Sequence, residues 1–120
     1  MNHIISPTVY ILASQRNGTL YVGVTSNLSK CMAEHTMGLV DGFTKKHGIK
    51  TLVYHDRFMS MEEAIGREKQ LKEWQRAWKI QLIEDMNSEW SNLYDTASGE
   101  IFFGPTEVER LSSKPVRSFE

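Results

Sequence analysis

The strongest constraint on this chain is a pair of β-prone runs joined by a tight turn. Thr8-Val9-Tyr10-Ile11-Leu12 is β-branched and aromatic, and Thr19-Leu20-Tyr21-Val22-Gly23-Val24 is β-prone again. Between them, Gln15-Arg16-Asn17-Gly18 ends on the Asn-Gly pair that suits a hairpin. The spacing predicts an antiparallel hairpin. Tyr10 and Tyr21 stand mid-strand, and whether they share a face depends on the register, which a slip of one residue reverses. Half-buried packing is the ordinary role of a strand tyrosine.

After the hairpin, Thr25-Ser26-Asn27 offers an N-cap at Ser26 or Asn27 for a helix running to about Met37. Leu28, Met32 and His35 fall at helical spacing, and Gly38 supplies a stop. Residues 39–50 form a glycine-containing basic loop in which Lys45, Lys46, His47 and Lys50 either touch phosphates or simply face solvent. Thr51 to Phe58 reads as a third strand. Ser60 caps the next helix, with Glu63 at the capping-box position.

That helix holds the most unusual side chain. At about 100° per residue, Ala64, Ile65, Leu71, Gln75 and Trp78 share one face, and Glu68 falls inside that arc. A carboxylate facing a core is costly unless it is paired, hydrogen-bonded or holding a metal. Two readings follow: a salt bridge to one of Arg67, Lys69, Lys72 or Arg76, or a metal ligand. The helix is expected to reach about Trp78, with a continuation or second helix through Ile80, Leu82, Ile83 and Met86. The pattern ends at Asn87-Ser88-Glu89-Trp90, leaving the Asn87 amide near a terminus to bond backbone or ligand.

A chain of 120 residues supports one modest core. Domain-like sequence is expected over residues 1–95, followed by an acidic, flexible tail over 96–120. In that tail Ile101-Phe102-Phe103 either folds back or forms a docking patch for a protein partner. No apolar run approaches the roughly 20 residues that span a bilayer, so no membrane association is expected. Met1 to Pro7 lacks a signal-peptide pattern, and a single cysteine, Cys31, excludes an internal disulfide. A cytoplasmic location is the expectation. The net charge of −1 conceals an asymmetry. Residues 1–83 carry 11 Lys or Arg against 7 Asp or Glu, whereas residues 84–120 carry 3 against 8. A basic body permits a phosphate-bearing partner.

Taken together, the tyrosine-bearing hairpin, capped helix, third strand and helix with an inward glutamate resemble the GIY-YIG nuclease superfamily, in particular its small stand-alone bacterial (URI-like) members. The name motif corresponds to Val9-Tyr10-Ile11 and Tyr21-Val22-Gly23. Further matches are Val24-Thr25-Ser26-Asn27-Leu28, Glu34-His35, Gly42-Phe43-Thr44-Lys45, Leu52-Val53-Tyr54 and Glu63-Ala64-Ile65. The run Arg67-Glu68-Lys69-Gln70-Leu71-Lys72 with Trp74, then Asn87 and Trp90, completes a likeness over about residues 8–94.

The resemblance implies an α+β fold, a three-stranded antiparallel sheet flanked by helices, and hydrolysis of nucleic-acid phosphodiesters, with DNA the expected substrate and DNA repair the kind of process served. It implies that Glu68 holds one Mg²⁺ or Mn²⁺, and that Tyr21 takes a proton from the attacking water, aided by Tyr10. His35 and Asn87 sit where the family places polar active-site residues. Lys30, Lys45, Lys46, Arg67 and Lys72 are the expected nucleic-acid contacts.

One position departs from the pattern. Family members usually carry an arginine three residues after the first leucine of the first helix; counting from Leu28, this chain has Cys31. A thiol cannot replace a delocalised cation with several donors, and Lys30 is turned about 100° away. By analogy with other phosphoryl-transfer arginines, the loss is worth roughly a thousandfold in rate. The competing outcomes are a weakened metal-dependent nuclease, or a catalytically impaired nucleic-acid-binding or adaptor module. A purely structural interaction protein is a third.

Overall fold

The computed structural model describes residues 5–37, 42 and 47–102. Lys45, Lys46, Phe103 and the tail beyond lie outside the described residues.

A run that is apolar on both faces belongs in the middle of a sheet. β1 (Ile5–Ala13) takes that place, pairing antiparallel with β2 (Leu20–Asn27) on one side and β3 (Thr51–Arg57) on the other. Val9 to Ala13 are all buried. The turn closes through Gly18 N–H to Gln15 O at 2.8 Å and Ser14 N–H to Thr19 O at 3.0 Å. Asn17 there adopts φ 57°, a left-handed conformation that asparagine tolerates. Both hairpin strands run further than their β-prone cores, because Thr8 pairs with Thr25 and Ile5 with Asn27.

Each face of the sheet has its own cover. Val9, Ile11, Ala13 and Val22 pack beneath α2 (Met61–Glu73) and α3 (Arg76–Met86) through Ala64, Leu71 and Ile83. Tyr10 and Leu12 pack against Leu28 and Met32 of α1 (Leu28–Thr36), with Ile49, Leu52 and Leu93. Each fully buried Leu or Ile contributes about 1.5–3 kcal/mol. A register shift places Ile11 opposite Tyr54 and Leu12 opposite Leu52, so Val53 and Tyr54 join the same core cluster.

Local signals set the helix starts. Asn27, not Ser26, caps α1 by accepting from Lys30 N–H at 3.1 Å, and Ser60 caps α2 through Glu63 N–H at 3.1 Å. α1 ends one residue before the expected Met37. The expectation of a helix to about Trp78 is corrected: α2 stops at Glu73, and Trp74 and Gln75 are extended before α3 begins. Packing explains the break. In one continuous helix Ile83 would sit about 120° around from Leu71, yet both bury against the same face of the sheet. Ile65 and Trp78, expected on the buried arc, are instead 38% and 52% exposed.

Beyond α3 the chain returns along the edge of β3. Leu93 N–H donates to Leu52 O, Tyr94 bridges Ile101, and Phe102 N–H donates to Leu93 O. Ile101 and Phe102 therefore fold back onto the body. No helix among the described residues is long and apolar enough to cross a membrane.

Candidate active site

The β1–β2 register decides which tyrosines meet. Tyr10 lies opposite Gly23, and Tyr21 opposite Leu12, two residues further along the same face. The rings of Tyr10 and Tyr21 are consequently 6.3 Å apart, with the His35 ring 6.5 Å from the first and 6.4 Å from the second. Gly23 makes room for this. A Cβ there would stand 2.5 Å from both Cζ and Oη of Tyr10.

Cys31 completes the cluster from α1, its thiol donating to Tyr10 Oη at 3.3 Å. Position 31 thus opens directly onto the buried phenol. Burial is the main reason the Tyr10 pKa is raised, reinforced by Cys31, Tyr21 and Glu68. Tyr10 stays protonated at neutral pH. Burial also pushes the Cys31 thiol up, so it is a neutral group beside the phenol. His35 is shifted down by burial, against the pull of Glu34.

Glu68 occupies the stripe between Ala64 and Leu71, its side chain only 13% exposed. Its carboxylate is paired with Lys72 at 2.5 Å. The salt bridge expected for an inward glutamate is therefore present. Its charge also reaches Tyr10, contributing to that phenol's upward shift. Among the described residues no group of three or more His, Cys, Asp or Glu is arranged to hold a metal. A divalent ion here would rest on one carboxylate, which fits an oxygen-seeking Mg²⁺ or Mn²⁺ that keeps waters and takes substrate phosphate.

Other expected contacts have intramolecular partners. Asn87 is fully buried; its amide donates to Val53 O at 3.2 Å and Ser91 O at 2.8 Å and accepts from Ser91 N–H at 3.0 Å. This residue braces β3 against the turn before Trp90, and among the described residues the bonds of its amide go to backbone. Arg67 lies 4.9 Å over the Trp74 ring and donates to Gln70. It also bonds Tyr54, whose pKa burial and Asp56 push up to about 12 against that pull. Lys30 is exposed and paired with Glu34 at 2.6 Å.

No sequence motif marks His55. It is buried directly across the ladder from Tyr10, with Nε2 2.7 Å from Phe102 O. A carbonyl only accepts, so Nε2 carries the hydrogen. The signal available was a histidine directly following the apolar run Leu52-Val53-Tyr54 of the third strand.

Residues 6–81 match the family described as the GIY-YIG catalytic domain. The chain is 36% identical over 77 residues to a UPF0213 protein of Staphylococcus haemolyticus, covering 64% of this chain and 93% of that one. It is 36% identical over 84 residues to a UPF0213 protein of Clostridium perfringens, covering 70% and 89% respectively. The solution structure of a UPF0213 protein from Bacillus halodurans is 33% identical, with 70% and 84% of the two chains covered and a TM-score of 0.41. With the motif residues of the hairpin and α2 inside the matched region, this chain belongs to the GIY-YIG family, among its small stand-alone UPF0213 members.

Proposed function

We propose that this domain binds nucleic acid and hydrolyses its phosphodiester bonds with a divalent metal, at a rate limited by Cys31. The observation that carries the reading is the convergence of Tyr10, Tyr21, His35 and residue 31. Glu68 would hold Mg²⁺ or Mn²⁺, which when bound offsets charge on the scissile phosphate.

The chain's own residues divide the remaining work. Tyr10, buried and held protonated, positions rather than accepts a proton. Tyr21 is the more exposed of the two phenols and is assigned the proton from the attacking water. His35 packs against both rings and orients them. Lys72 neutralises the Glu68 carboxylate. Cys31 presents a neutral thiol where the family pattern expects a guanidinium. A neutral thiol cannot offset the charge that builds on the non-bridging oxygens of the phosphate as it is attacked.

The test compares the parent, Cys31→Arg and Cys31→Arg with Glu68→Ala on supercoiled, branched and single-stranded DNA and on RNA, with Mg²⁺ or Mn²⁺. Cleavage is expected to rise about a thousandfold in Cys31→Arg and to vanish in the double variant. The neutral thiol favours one second reading, a binding or adaptor module. Silence from all three proteins with retained, metal-independent and salt-sensitive binding would select it.

A further inference from the structure

Trp78 is the feature that neither the core nor the tyrosine cluster absorbs. It lies on α3, 52% exposed, although a tryptophan gains most from burial. Its one aromatic contact is edge-to-face with Trp74, centroids 5.9 Å apart and planes at 86°, among the described residues. That contact orients the ring while leaving half its surface in water. Trp74 is itself covered by Arg67, the neighbour of Glu68 on α2, so an aromatic and cationic stripe leads from the candidate metal ligand to Trp78.

The helix that carries Trp78 also contributes Arg76 and Lys79 to an open groove of about 510 Å³, completed by Asn17, Gly18, Thr19 and Leu20 of the hairpin. Arg76 is fixed in it by two bonds from Nη2, to Asn17 O at 2.7 Å and Gly18 O at 2.6 Å. Among the described residues, both of these bonds come from Nη2, which leaves Nε and Nη1 as further donors. Charge suits a phosphate. Residues 66–81 carry five Lys or Arg against two Glu.

We propose that Trp78 is a stacking platform for an unpaired nucleobase, whose adjoining phosphates lie in the groove of Arg76 and Lys79. The inference rests on the nucleic-acid reading above and deepens it, naming single-stranded polynucleotide as the class of ligand engaged here. The chemistry favours it over a protein partner. A π-face held at a fixed angle by Trp74, on the helix that carries Arg76 and Lys79, offers groups for both base and phosphate, and it accepts any base. Salt-dependent attraction to the backbone and stacking on the indole act on adjacent groups of one strand.

The experiment is anisotropy titration of labelled oligodeoxythymidine, oligouridine and duplex DNA of about 12 units, without divalent ions so that cleavage plays no part. Trp78→Ala is expected to weaken single-strand binding about tenfold and leave duplex binding unchanged. Trp78→Phe should restore most of the affinity but lose most of the indole quenching seen when the parent is saturated. Lys79→Gln should reduce the slope of log affinity against log salt by about 0.7. The two oligonucleotides separate a DNA ligand from an RNA ligand. Equal loss for duplex and single strand, or no loss in a Trp78→Ala protein with an unchanged melting curve, overturns the platform. If the parent binds duplex but no single strand, the platform alone falls; if it binds no nucleic acid, the proposed function falls with it.

Discussion

Gly23→Ala is the sharpest test of how the cluster is built, because two opposing effects can be separated. The φ of Gly23 is not in the left-handed region, so alanine meets no backbone penalty. In mid-strand it should stabilise by about 0.5–1 kcal/mol. Against this, the new Cβ would stand 2.5 Å from Cζ and Oη of Tyr10 and 3.0 Å from Cε1. That ring is only 4% exposed and is hemmed in by Cys31 and by the Tyr21 and His35 rings. Such overpacking costs about 1–3 kcal/mol. The sum is a destabilisation on the order of 0–2.5 kcal/mol. The discriminating measurement is the same change in a Tyr10→Leu background, where the obstructing ring is gone. There Gly23→Ala should become stabilising, giving a coupling of about 1–3 kcal/mol in a double-mutant cycle of urea unfolding. Identical effects in the two backgrounds would refute the claim that Gly23 exists to clear Tyr10.

Asn87→Ala strands Val53 O, Ser91 O and Ser91 N–H, and should lower stability by about 2–4 kcal/mol in urea titration. A loss under about 0.5 kcal/mol would mean that water replaces the amide. His35 has a folded pKa below its ordinary value, so in acid the unfolded chain takes up its proton first. Stability from this group is complete above about pH 6.5 and falls as pH drops toward the lowered folded value; His35→Gln should flatten that part of the melting-temperature profile. Removing residues 96–120 takes the Phe102 carbonyl from His55 and should cost about 1–3 kcal/mol in thermal or urea unfolding. An unchanged midpoint would show that His55 needs no partner there.

Local chemistry made much of this protein legible from its residues alone. Asn-Gly closes a hairpin because asparagine and glycine tolerate the turn, and Ser60 caps a helix through its own oxygen; neither depends on distant chain. Glu68 was visible as a carboxylate on a buried stripe, and Lys72 as one of its candidate partners, because both belong to one helix. The spaced motifs likewise pointed to the family before any contact was known. What escaped was non-local. The β1–β2 register puts Tyr21 on the face of Tyr10, and β3 sets His55 beside it from more than 40 residues away. The break after Glu73 answers a core that must bury Leu71 and Ile83 together, and Asn87 spends its amide on Val53, on another element. Sequence determined which side chains were available and which turns and caps would form. Only tertiary packing decided that residue 31 would open onto a buried phenol, since that contact joins a helix and a strand through burial that neither produces alone.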